Sequence, residues 1–255
     1  MRSGNPTLNS NTFQDMGAFS GRMATAESAT MTIQGTALKT FVLLMIAFAT
    51  AGFSWVRVMG GGNLNFGAVA PWMFGGMIVS LILSVIICFK PTTSPFLAPL
   101  YAAAEGVFLG GISALFELRY PGIVVMAVGC TFGTLAGLLM AYVSGLIKAT
   151  ENFKLGVTAA TIGIGLMYLV SFIGSFFGFG IPFIHSAGWI GIGFSIFVVI
   201  IAAMNLVLDF DFIEDAAERG APKHLEWYGA FALMVTLVWL YLEILRLLAK
   251  LNDRR

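Results

Sequence analysis

The chain has 255 residues, of which 58% are hydrophobic and only 11% charged, with a net charge of +1 and a mean hydropathy of +0.89. A soluble domain is about a quarter charged, so this composition excludes an ordinary water-soluble globule and points to a polytopic membrane protein. A charge so close to zero gives no footprint for nucleic acid.

Residues 1–37 are rich in Ser, Thr, Asn, Gly and Met and lack an early apolar core. They read as a flexible polar cytoplasmic tail, not a signal peptide. Seven apolar runs follow, each long enough to cross about 30 Å of hydrocarbon: 38–58, 69–89, 98–118, 122–147, 155–179, 188–209 and 228–248. The breaks carry turn chemistry, as in GGGNLNFG at 60–67, KPTTSPFLAP at 90–99, KATENFK at 148–154 and GFGIPFIHSAG at 178–188. The membrane domain is therefore 38–250, with 251–255 a short basic C-terminal tail. The fold class is an all-α, seven-span integral membrane bundle. Cys88 and Cys130 lie in apolar runs and read as small buried hydrophobes. The tryptophans mostly fall near span ends, where interface anchoring explains them.

Lysine and arginine set the orientation. With the N-terminus inside, the inner segments hold Arg2, Arg22, Lys39, Lys90, Lys148, Lys154, Arg219 and Lys223, and the outer loops hold Arg57 and Arg119. The end of the chain adds Arg246, Lys250, Arg254 and Arg255. Two readings of that end are open: the basic tail stands outside, or the last segment stops short of crossing. In the fourth run, Gly129, Gly133 and Gly137 are four apart on one helix face, a small-residue groove for a neighbouring helix.

An acid inside a membrane is expensive and is a functional hypothesis by default. The candidates are Glu105, Asp209, Asp211 and Glu243. Asp209 and Asp211 lie about 200° apart around one helix. The face of Asp209 runs back through Asn205, Ala202, Val198, Ser195 and Gly191, small and partly polar, and points into the bundle. Asp211 continues into Asp215 and Glu218 as a solvated acidic stripe. Glu243 shares a face with Thr236, Ala232 and Gly229, and Arg246, three residues on, could pair with it. Structural ion pair and functional acid are both open for it. Arg57 and Arg119 are further candidate basic partners. No Ser-His-Asp order, no HExxH, no phosphate-binding Gly-Lys motif and no Cys/His cluster is present. The chain reads as no enzyme, with no cofactor and no dedicated metal site.

Five stretches carry a resemblance over essentially the whole chain: MRSGNPTL at 1–8, MTIQGTALKT at 31–40, PLYAAAEGVFLGGIS at 99–113, LDFDFIE at 208–214 and APKHLEWYGAFALMVTLVWLYLEILRLL at 221–248. They resemble the Bax-inhibitor-like membrane proteins, specifically the bacterial branch with a longer polar N-terminus. The resemblance implies six helices around a central seventh, in a bacterial inner membrane. It implies a pH-sensitive calcium leak channel in which an acid late in the sixth helix and one in the last helix share a proton as a latch. By motif these are Asp209 and Glu243, with Ca2+ as the permeant ion and transiently at Asp209. Three features depart from the pattern: Glu243 stands for Asp, Arg246 for a neutral residue, and the 34 positions from 209 to 243 exceed the family's spacing. In a symmetric hairpin turning at Gly220-Ala221-Pro222, the two acids would differ in depth by about 15 Å. A second reading is a membrane-embedded interaction protein modulating a membrane protease or stress response, using the N-terminal tail and the acidic loop at 211–226. A third is a proton-coupled solute carrier. The partners expected are the bilayer, calcium or other cations, and a membrane-protein partner.

Overall fold

The computed structural model describes residues 30–60, 66–177 and 188–254. Within them lie seven helices: α1 (Ile33–Met59), α2 (Phe66–Phe89), α3 (Ser94–Arg119), α4 (Ile123–Val143), α5 (Glu151–Phe176), α6 (Trp189–Glu218) and α7 (Leu225–Asn252). All seven are long and apolar enough to cross a membrane. Large side chains such as Leu38, Phe96, Val125, Leu155 and Ile190 face outward on their surfaces. Such a continuous apolar exterior belongs in lipid, and the protein is an integral membrane protein.

Local chemistry sets the helix ends. Thr32 caps α1 by accepting from the Gly35 amide at 2.9 Å, and Thr150 caps α5 by accepting from Phe153 at 3.3 Å. Gly122, at φ +86°, starts α4. The Glu117 carboxylate takes the free amides of Gly122 at 2.6 Å and Val124 at 3.1 Å, the favoured place for an anion. α6 closes with Gly220 at φ +66°, its amide bonded to Ala217 and that of Ala221 to the Ala216 carbonyl at 3.0 Å. This is a glycine-terminated cap, and Pro222 then forbids further helix.

α7 is the centre of the bundle. It packs along α1, α3, α4 and α6, and half of its most apolar window is buried, the largest share of any helix. It reaches α5 through a side-chain hydrogen bond described below. α2 packs against α1 and α3, and α5 against α6. The tightest pairing joins α1 to α3. Ser94, Ala98, Ala102, Gly106, Gly110 and Ala114 recur every four residues on α3, all buried. A Cβ at Gly106 would sit 2.1 Å from Thr50 Oγ1, and one at Gly110 would sit 2.2 Å from the Ala51 carbonyl. The backbones touch because these side chains are missing.

Several boundaries differ from those expected. α1 starts at Ile33, inside the stretch read as a flexible tail. Met31 is 2% exposed, its amide donates to Ala221 at 2.7 Å, and Thr30 bridges to Pro222. Residues 1–29 lie outside the described residues, as does most of the 178–188 break with His185. The KPTTSPFLAP break is shorter than read, because α3 begins at Ser94 with proline in its first turn, a position that needs no amide hydrogen. α6 extends nine residues past Asp209. α7 runs through Lys250 to Asn252 and is long and apolar enough to cross a membrane. Gly129, Gly133 and Gly137 face outward, with nothing within 4 Å of a Cβ built on any of them. The helix groove of this chain lies on α3. Cys88 and Cys130 are exposed on the lipid-facing surface, not buried. Trp239, far from either end of α7, packs within the bundle beside Ile164, Val198 and Ile201.

Candidate functional site

The inward face of α6 read from its sequence is the face that is buried. Gly191, Ser195, Val198 and Ala202 are all buried, with Asn205 and Asp209 half-buried beyond them. Opposite, α7 presents Thr236, Trp239, Glu243, Arg246 and Lys250, alternately three and four apart, the spacing of one helix stripe. α5 contributes Thr161, Ile164 and Tyr168. Together they form a column through the bundle, polar at both ends and apolar around Trp239. We call the end at Thr30 and Pro222 the inner end and the opposite end the outer end.

Asp209 lies in the inner half. Thr236 of α7 is its hydrogen-bonding neighbour, and its Oδ2 is buried with no hydrogen-bond partner. One turn outward, Asn205 donates to Thr161 Oγ1 and to the Ile201 carbonyl, both at 2.8 Å. No basic side chain forms an ion pair with Asp209 among the described residues. A buried charge without a partner is costly, so this position is completed by a proton or by a cation.

Glu243 lies in the outer half and is 2% exposed. It accepts from the Tyr168 hydroxyl at 2.9 Å and from Arg246 Nη1 at 3.0 and 3.2 Å. Arg246 also donates to the Tyr168 hydroxyl at 2.7 Å and lies over its ring. One turn on, the buried Lys250 donates to Ser195 Oγ at 2.8 Å and to the Gly191 carbonyl at 3.0 Å. The outer half thus holds two cations to one acid. The pairing of Glu243 with Arg246 is the one its spacing suggested. The shared-proton pair with Asp209 is not formed: Asp209 lies beside Thr236, seven residues before Glu243, which is about 10 Å along α7. Arg57 sits over the Phe53 ring and Arg119 pairs with Asp253 at 3.4 Å; neither reaches Glu243.

The other acids go elsewhere. Asp211 is half-buried and paired to Lys154 of α5 at 2.7 Å. Asp215 does face out, paired to Arg219 at 2.7 Å. Glu105 is buried on α3 with Ser80 of α2 as its hydrogen-bonding neighbour, away from the column. The acidic loop is not wholly a surface either. Glu226 is 1% exposed, forms an ion pair with Lys39, and accepts from the Thr32 amide and hydroxyl, both at 3.0 Å. This clamp ties the first turn of α7 to the first turn of α1. It joins positions 187 apart, so no local pattern announces it. At the outer end, Tyr120 donates to Asp253, and that carboxylate holds the Tyr120 hydroxyl above its ordinary range. No cluster of three or more metal-binding side chains occurs among the described residues.

A seven-helix membrane bundle, built on a buried last helix and lined by acids at two depths, is the class that fold and site define. The chain belongs to the Bax inhibitor 1 like family, whose sequence model matches residues 5–253. No curated protein and no solved structure matches the chain.

Proposed function

We propose that the protein is a calcium-permeable cation leak path of a bacterial inner membrane, controlled by protonation of one carboxylate, Asp209. The observation that carries this is the buried Asp209 Oδ2 with no partner, set in a column that continues through Thr236, Asn205 and Thr161. These are oxygen donors of the kind that calcium takes. Proton and cation compete for one carboxylate, which makes conduction pH-dependent. On this reading the bonded trio of Glu243, Arg246 and Tyr168 closes the outer half of the column. Because a permanently charged guanidinium holds Glu243, pH sensing falls to Asp209 alone and not to a shared-proton pair.

The inner end is read as cytoplasmic. Arg246 and Lys250 lie inside the bundle and leave the count of loop charges, so the outer side carries Arg57, Arg119, Arg254 and Arg255 against the eight inner cations. The test is calcium flux into proteoliposomes across a pH series. Asp209→Asn is expected to abolish the pH dependence, and Glu243→Gln to change the rate while keeping it. Unchanged flux and pH dependence in Asp209→Asn would overturn the reading.

A second reading, a membrane-embedded interaction protein, draws on the clamp between the N-terminal segment and the α6–α7 turn. A partner holding residues 1–29 would pull on the first turn of α7. Deleting those residues should then abolish partner capture and leave flux intact; lost flux with capture retained would count against it.

A further inference from the structure

α1 and α4 both pack on α7 but not along each other. Among the described residues they meet through the stack of Phe48 on Phe132, with centroids 6.0 Å apart. Below that stack, toward the inner end, a laterally open chamber of about 800 Å³ lies between them. Above it lies a second chamber of about 270 Å³. Leu44, Phe132 and Leu237 wall both.

The two ends of this slot differ in chemistry. The upper chamber has three hydroxyls, all spent inside the protein: Ser113 and Tyr241 bond each other at 2.6 Å, and Thr131 donates to the Ala127 carbonyl at 2.8 Å. In the lower chamber, Thr36 and Thr40 donate to backbone carbonyls of their own helix, both at 2.9 Å. With these hydroxyls satisfied and the remaining walls mostly apolar, the slot suits hydrocarbon better than water. At the inner mouth the walls become charged, with Lys148, Asp211 and Glu214. Lys148 is exposed and makes no ion pair among the described residues. One oxygen of Glu214 takes the Tyr142 hydroxyl; the other takes no donor among the described residues. Among the described residues, the mouth therefore offers Lys148 as an unpaired cation, with a Glu214 oxygen and an Asp211 oxygen that take no donor. The lower chamber runs from Ile33 to Leu44 on α1, about 16 Å at the helical rise, close to the half-thickness of about 15 Å that one leaflet's hydrocarbon fills.

We propose that this slot binds one zwitterionic aminophospholipid of the inner leaflet. An acyl chain lies between α1 and α4 up to the Phe48–Phe132 stack. The phosphate meets Lys148, and the primary ammonium meets Glu214 beside Asp211. A phosphatidylglycerol headgroup brings the same phosphate but only neutral hydroxyls, so the Glu214 charge stays uncompensated. A choline headgroup brings a cation that cannot donate a hydrogen bond.

The test is native mass spectrometry of the full chain reconstituted with equal amounts of phosphatidylethanolamine, phosphatidylglycerol and phosphatidylcholine. One phosphatidylethanolamine per chain should be retained in preference to the others. Lys148→Glu, a change on the exposed loop, should weaken retention about tenfold by removing a charge-assisted contact. Ala37→Trp, which fills the slot from its lipid-facing rim, should abolish it. Equal retention of the three lipids, or retention unmoved by both substitutions, would overturn the proposal.

Discussion

The inner and outer halves of the α6–α7 column each hold one inward-facing acid, and the two acids are built for opposite ends. Glu243 has a guanidinium one turn away, a tyrosine hydroxyl from α5 and a lysine further along the same stripe. Asp209 has a threonine neighbour and an oxygen with no donor at all. Both are carboxylates that face the bundle; the difference lies in whether a fixed cation shares the site. A neutralised acid is structural cement, which resists both protons and ions. An acid left short of a partner is chemically open. A family pattern that names both acids does not distinguish them, and Arg246 does.

The largest expected effect comes from removing that fixed cation. Arg246→Met leaves Glu243 buried and unpaired and should lower stability by about 3 kcal/mol, read as a drop in melting temperature in detergent. The double change Arg246→Met with Glu243→Gln should recover most of the loss, because no buried charge remains. If the double variant is no more stable than the single one, the outer acid is not held in the way described.

Close behind is the α1–α3 contact. Gly110→Ala forces a Cβ against the Ala51 backbone and should cost about 1–3 kcal/mol by overpacking. Gly133→Ala on the outward face of α4 should fall within about 0.5 kcal/mol of the parent. Equal costs at the two sites would contradict the assignment of the packed groove to α3.

Asp209→Asn should change stability by less than about 1 kcal/mol, since it removes no ion pair, yet eliminate the pH dependence of flux. A loss as large as that of Arg246→Met would mean that Asp209 has a partner it is not seen to have. The smallest effect is at the outer end. The bond to Asp253 raises the Tyr120 hydroxyl above its ordinary range. It therefore supports the fold fully below the free tyrosine value of about 10 and is lost as pH rises through the folded value. Tyr120→Phe should speed amide exchange in the last turn of α7 at neutral pH. The parent should show the same loosening only in alkali.

The spans were legible because twenty apolar residues in a row have few other fates. Their ends were not. The last nine residues of α6 carry four acids, Asp211, Glu214, Asp215 and Glu218, and read as loop, yet pairing with Lys154, Tyr142 and Arg219 keeps them helical. The inward direction of Asp209 followed from helical geometry, and the Glu243–Arg246 pair from a spacing of three. Tyr168, 75 positions from its acid on α7, and Lys39, which meets Glu226, come from other helices, and a sequence does not say which helices adjoin. The two small-residue stripes show the same limit. The spacing on α3 and on α4 permits close approach in both, but only a neighbour makes it a contact.

The central claim is that Asp209, and not Glu243, is the carboxylate that exchanges a proton. Infrared difference spectroscopy of the reconstituted protein on acidification reads this directly, through the carbonyl stretch of a newly protonated carboxyl group inside the membrane. The band should vanish in Asp209→Asn and persist in Glu243→Gln. Its survival in Asp209→Asn with loss in Glu243→Gln would contradict the claim.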